Sequence, residues 1–257
     1  VHIGGNVRDF VFDTGAAQFN FVSERFAREN GIRMIADSIP VAGIGRGWVG
    51  LGVADSLAVG GIVMRNPVFL ISPPDQATDT IEVISAVLGN AFMRKAERFT
   101  IDNRTRHIVF PAERTLHADG TKRMANMMLN SFQPYVRIHA DGIPLLFHFD
   151  TGNVATTLYP PYYELFREQV DSCGVEDTVR IGGFAGVAEN VCYRLPSVEF
   201  TLEGVPFTLR DIDVLPSGSA GATAGSEAGS LGTDFATAFD TLTVDYTSCT
   251  VLGENVP

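Results

Sequence analysis

The chain has 257 residues, 45% of them hydrophobic, with a formal charge of −11, enough for one large domain or two small ones with a real core. The acidic balance argues against nucleic acid or an anionic membrane as partner, because both repel it. No apolar run approaches the ~18 residues that suggest a membrane span. The chain begins at Val1 rather than a methionine, so any leader upstream is invisible.

"VHIGGNVRDFVFDTG" (1–15) reads as a strand, a Gly-Gly-Asn turn and a second strand ending at Asp13. "FVSERFAREN" (21–30) reads as a short helix closed by Gly31. "VAGIGRGW" (41–48) has the glycines of a hairpin tip, and the "GG" at 60–61 marks another turn between alternating strands. Gly45, Gly47 and Gly50 also fit G-x-G-x-x-G, but no helix opens there and no acidic residue lies ~20 positions on, so a dinucleotide site is set aside. Polar "ERTLHADGTKR" (113–123) reads as a linker between two domains, 1–115 and 124–257.

The second half repeats the plan. "YVRIHADGIPLLFHFDTG" (135–152) is a hairpin turning at Asp141-Gly142 and ending at Asp150. "YPPYYELFREQV" (159–170) reads as a helix, "IGGFAG" (181–186) as a hairpin tip, and "PSVEFTLEGVPFTLRDIDVL" (196–215) as two strands around Glu203-Gly204. "PSGSAGATAGSEAGS" (216–230) has no apolar group to anchor it and reads as a flexible loop.

Three phrases occur twice, in the same order. "FVFDTG" (10–15) returns as "FHFDTG" (147–152), "LGNAF" (88–92) as "LGTDF" (231–235), and "FTIDN" (99–103) as "LTVDY" (242–246). The chain therefore reads as two copies of a unit of roughly 110–130 residues, far longer than a solenoid repeat.

Each copy delivers one Asp from an apolar strand, followed by Thr and Gly. The Gly permits a sharp turn, and the Thr hydroxyl can hold the loop. A carboxylate leaving such a strand is costly to bury unless it has a task or a partner. If the copies pack about a pseudo-twofold axis, the two loops meet. Two carboxyls at short range cannot both ionise, so one acts as acid and the other as base on a water between them.

These motifs resemble the two-lobed aspartic proteases, in particular single chains with two retropepsin-like halves, and the resemblance covers nearly the whole chain. It implies a mostly β fold of two similar barrel-like lobes related by a pseudo-twofold axis, with few short helices. It implies an aspartic endopeptidase with Asp13 and Asp150 as the catalytic pair. Thr14 and Thr151 would interlock across the lobes, with Gly15 and Gly152 supporting the two loops, and Gly89 and Gly232 of the two LG motifs would underlie them. It also implies substrate-covering hairpins, placed here at Gly43, Ile44, Gly45 and Trp48 and at Gly183 and Phe184. The Tyr of a pepsin-like flap is missing from 41–52; Trp48 either takes its place or is an ordinary core aromatic. A polypeptide substrate, no cofactor, no metal and a functional monomer follow, since one chain carries both aspartates. The alternative is an inactive peptide- or protein-binding module on the same fold.

The residues after the two DTG triads, Ala16 and Asn153, differ from the Ser or Thr of pepsin-like enzymes. His148 reads either as a buried, satisfied histidine or as a modulator of the pair. Asp102 and Asp245 read as structural turn residues, and Asn103-Arg-Thr fits a glycosylation sequon. Of the cysteines, Cys173, Cys192 and Cys249, the first two lie about equally far from the second hairpin tip. A bridge between them would suit an oxidising, extracytoplasmic compartment.

Overall fold

A computed structural model describes residues 1–16, 18–43, 45–72, 85–111, 124–183, 186–216, 219 and 225–255. Among the described residues the protein is mostly β, 55% strand against 14% helix. In chain order the elements are β1 (His2–Ile3), β2 (Asn6–Val7), β3 (Val11–Phe12), β4 (Asn20–Ser23), α1 (Glu24–Glu29), β5 (Arg33–Gly43), β6 (Gly45–Val53), β7 (Ser56–Val59), β8 (Ile62–Arg65), β9 (Val68–Ser72), β10 (Ala86–Leu88), α2 (Asn90–Ala96), β11 (Arg98–Asp102) and β12 (His107–Val109). The second half continues with β13 (Met127–Asn130), β14 (Gln133–Ala140), β15 (Ile143–Phe149), β16 (Thr157–Leu158), α3 (Pro160–Leu165), α4 (Arg167–Cys173), β17 (Val175–Gly183), β18 (Gly186–Leu202), β19 (Val205–Val214), β20 (Gly229–Leu231), α5 (Thr233–Ala236), β21 (Thr241–Asp245) and β22 (Thr250–Glu254).

Two compact units result: Val1–Ala96 with Ile181–Ala188, and Glu97–Arg180 with Glu189–Pro257. The expected linker, 113–123, lies outside the described residues. Glu97 and the residues after it join the second unit because β11 pairs along its whole length with β21.

The first unit holds a six-stranded sheet in the order β3-β10-β4-β9-β6-β5. The same order recurs as β15-β20-β16-β19-β18-β17 inside an eight-stranded sheet, with β13 and β14 added beyond β15. Pairing directions match too. The strand carrying each Asp runs parallel to the strand carrying LG, which runs antiparallel to the strand that follows the DTG loop. The duplicated phrases thus sit at equivalent positions of equivalent sheets.

Local chemistry explains the turns. Gly4-Gly5, Asp141-Gly142 and Glu203-Gly204 all adopt positive φ, the conformation that matches a tight hairpin to the strands' twist. Ser23 caps α1 by accepting from the Phe26 N–H, and Gly31 (φ +69°) ends it.

Each core is aromatic and aliphatic. Phe69, Phe92, Leu57 and Met93 are fully buried in the first unit. In the second, Phe207, Phe235 and Phe239 interlock with ring centroids 5.1–5.7 Å apart, and Phe149 meets Phe235 edge-on at 5.3 Å. The apolar lead-in to Asp150 is therefore a core strand.

Two sequence expectations fail. Of the expected loop 216–230, residues 217, 218 and 220–224 lie outside the described residues, and its end is no loop: Gly229 and Ser230 belong to β20, and the Ala228 N–H donates to the Leu146 carbonyl at 2.7 Å. Small residues are required there, since a Cβ on Gly229 would lie 2.5 Å from the Thr157 carbonyl oxygen. The Cys173–Cys192 bridge is not formed. Cys173 ends helix α4 and is exposed, whereas Cys192 is buried on β18 with its thiol 3.6 Å from Asp213 Oδ1. Counting back from the hairpin tip assumed that strand β17 reached residue 173, but it begins at Val175. With the bridge goes the sequence's pointer to an oxidising compartment.

Candidate active site

Asp13 stands where β3 leaves its sheet. Phe12 lies beside Leu88 of the parallel strand β10, and the Asp13 N–H donates to the Leu88 carbonyl at 3.0 Å. The chain then turns back on itself. The Gly15 and Ala16 N–H groups both donate to Asp13 Oδ1, at 2.8 and 3.0 Å, so the carboxylate is fastened to its own loop. Such bonds favour the charged form. The intervening Thr14 is fully buried.

Two asparagines brace this loop. Asn90 Nδ2 donates to the Thr14 and Ala16 carbonyls, at 2.7 and 2.8 Å, and its backbone N–H also reaches Ala16 O at 3.0 Å. Asn20 Oδ1 accepts from the Gly89 N–H at 3.2 Å. Gly89 has no room for a side chain, since a Cβ there would sit 2.3 Å from the Phe19 carbonyl oxygen.

Asp150 is built the same way. Its N–H donates to the Leu231 carbonyl at 2.9 Å, and its Oδ1 accepts from the Gly152 N–H at 2.9 Å. Thr233, the residue after the second LG, donates its N–H to Asn153 O at 2.8 Å, as Asn90 does to Ala16. The Gly232 N–H donates to Thr156 Oγ1 at 3.1 Å, as Gly89 does to Asn20. Thr156 is in turn held by Asp234, which accepts from its N–H at 2.8 Å and its hydroxyl at 2.7 Å. A Cβ on Gly232 would come within 2.7 Å of the Ala155 carbonyl carbon.

Asn20, Asn90, Thr156 and Asp234 escaped the sequence reading. The copies use different residue types for the same acceptor, Asn20 in one and Thr156 in the other, so no repeated letter marks them.

The loops also differ at the residue after the DTG triad. Asn153 Nδ2 donates to Asp150 Oδ2 at 2.9 Å, where the first copy offers only the Ala16 methyl. Beside Asp150, burial pushes the Tyr159 phenol up to about 12. A bond from Ser230 pulls the other way, and the charges of Asp150 and Glu227 add to the rise.

The flap expectation is described in part. Gly43 and Gly45 face each other across the tip of the β5–β6 hairpin, and Gly183 ends β17; Ile44 and Phe184 lie outside the described residues. Trp48 pairs with Pro40 and is 54% exposed, which removes its reading as a core aromatic. The G-x-G-x-x-G run lies in strand β6, so no helix opens there.

The turn aspartates are structural: Asp102 Oδ1 accepts from the Arg104 and Thr105 N–H groups, and Asp245 Oδ1 from those of Thr247 and Ser248. Asn103 is committed too, its amide donating to the Ala236 and Phe239 carbonyls at 2.8 Å each, which leaves the sequon's nitrogen engaged inside the fold. Among the described residues no group of three or more His, Cys, Asp or Glu is placed to hold a metal ion, and no helix is long and apolar enough to cross a membrane.

Residues 1–92 match the family described as aspartyl protease. That stretch includes the first DTG loop and the Gly89 beneath it, and stops short of the second copy. No curated protein matches the chain.

Proposed function

We propose that the protein is an aspartic endopeptidase in which Asp13 and Asp150 together activate the water that attacks a peptide carbonyl. The observation that carries this reading is the shared construction of the two DTG loops. Each Asp N–H is tied to an LG strand, each Oδ1 accepts from its own loop's Gly N–H, and each LG glycine is backed by a polar acceptor. A protein that merely bound peptides would have no chemical need for two carboxylates mounted alike.

In this reading the pair shares one proton. The ionised member takes a proton from the water as its oxygen attacks the carbonyl carbon. The protonated member gives its proton to the carbonyl oxygen. Collapse of the resulting gem-diol returns that proton to a carboxylate and expels the amine, protonated by the other. The family matched by residues 1–92 supports a polypeptide as the substrate. Because one chain carries both aspartates, we propose a functional monomer.

The test is hydrolysis of a casein-like substrate from acidic to neutral pH, with and without pepstatin, by the wild type and by Asp13→Asn and Asp150→Asn. Pepstatin-sensitive cleavage by the wild type, lost in both folded variants, is the expected result. Activity in either folded variant would overturn the assignment, and activity lost on dilution would overturn the monomer.

A further inference from the structure

The two halves differ most at a pair of facing positions next to the aspartates. In the first unit, β3 and β10 place Val11 beside Val87. At the equivalent register in the second, β15 and β20 place His148 beside Ser230. Together with Ala16 against Asn153, an apolar trio in one half is replaced by a polar trio in the other.

The polar trio forms a chain that ends on the catalytic carboxylate. Ser230 Oγ lies 3.5 Å from His148 Nδ1 and 3.3 Å from Asn153 Nδ2, and Asn153 Nδ2 lies 2.9 Å from Asp150 Oδ2. Ser230 also bonds the buried Tyr159, and the ring of Tyr135 packs on His148 with centroids 5.2 Å apart. A serine hydroxyl has one proton and two lone pairs. It accepts from Asn153 Nδ2, which leaves its proton and one lone pair for His148 Nδ1 and the Tyr159 hydroxyl.

We propose that Ser230 is a positioning residue for Asp150: through Asn153 it holds the carboxylate's second oxygen in a charge-assisted hydrogen bond that the first half cannot make with residue 16. The proposal rests on the reading of Asp150 as catalytic. It gives the two aspartates unequal settings although their loops are alike. Tyr135, which packs on His148, and Tyr159 both feel the charge of the buried Glu227, and Tyr159 also that of Asp150.

The experiment reads the titration of Asp150 itself. In an Asp13→Asn background Asp150 has no partner carboxyl to share a proton with, and its ¹³C carboxyl resonance, assigned by its loss in Asp150→Asn, reports a single pKa. Adding Ser230→Ala or Asn153→Ala should raise that pKa by about one unit, the order expected for one lost charge-assisted bond. Asn153→Ser, which keeps a donor, should restore part of it. In the corresponding single variants the acidic limb of the peptidase pH profile should move to higher pH. An unchanged Asp150 titration in folded Ser230→Ala, whatever Asn153→Ala does, overturns the proposal. Should Ser230→Ala not fold, Ser230→Cys, which keeps the size and replaces the hydroxyl by a weak acceptor, decides in its place. A shifted titration in a protein without peptidase activity would keep this inference and overturn the proposed function.

Discussion

Thr100 and Thr243 face each other across the β11–β21 pair with their hydroxyl oxygens 2.8 Å apart. They are the same residue of the repeated phrase, one from each copy. Around them the register is symmetrical, Phe99 opposite Val244 and Ile101 opposite Leu242. Two equivalent strands that pair antiparallel at an equivalent residue have a local twofold axis there, and Thr100–Thr243 marks it.

This pair makes a direct energetic prediction. Thr→Val keeps the shape and removes the hydroxyl. Either single change should cost about 1 kcal/mol by urea denaturation, because the partner hydroxyl loses its bond in a partly buried site. The double variant should cost less than the sum, because no hydroxyl is then left behind. Strict additivity would show that the bond contributes nothing.

A second prediction concerns the glycines of the LG motifs. At Gly89 the obstruction to a Cβ is a backbone carbonyl at 2.3 Å, which no rotamer change can clear. Gly89→Ala should therefore destabilise the fold by about 1–3 kcal/mol and lower peptidase activity by displacing the loop of Asp13. Gly61→Ala, where nothing lies within 4 Å of a Cβ, is the control and should change little. A thermal melt of each variant checks this.

The recurring sheet order and the two like-built DTG loops beside their LG glycines were legible because their letters repeat, and a repeat needs no knowledge of packing. The bracing residues were not, because one physical task was given to different side chains: Asn20 and Thr156 accept the same kind of N–H. The 216–230 segment misled for a related reason. Gly229 looks like linker composition, yet its missing side chain is what a strand packed hard against Thr157 and Leu158 demands. The disulfide failed on an element boundary: helix α4 runs through Cys173, and strand β17 begins only at Val175.

A third prediction links acid stability to Asp245. Burial opposes its charge, but bonds from the Ser248 and Thr247 N–H groups and the Arg98 guanidinium outweigh that and hold it below its ordinary 3.8. Arg98 Nε and Nη2 reach the same oxygen, Oδ2, at 2.9 and 2.7 Å. A folded pKa below the unfolded one means stability that is present above the unfolded value and lost as pH falls through the folded one. Asp245→Asn should lower stability at neutral pH and flatten the decline between about pH 4 and pH 2. If wild type and variant lose stability in parallel over that range, Asp245 is not a source of the acid sensitivity.

The last prediction concerns Ala16. Its N–H already donates to Asp13 Oδ1, but its methyl group has nothing to offer the other oxygen, whereas Asn153 reaches Asp150 Oδ2 in the second copy. A donor to the outer oxygen favours the charged form and lowers the pKa of the pair. In the proposed dyad, with a donor from residue 153 and none from residue 16, the pair should keep its shared proton to higher pH than a pair with donors from both positions. The wild type should then work best at roughly pH 4–6, titrating as a coupled unit. Ala16→Ser supplies a hydroxyl at a partly exposed position of the same loop. It should move the acidic limb of the pH–rate profile to lower pH while leaving the fold intact. A wild-type optimum near pH ~2, or an acidic limb that Ala16→Ser does not move, would show that residue 16 does not set the ionisation of this site.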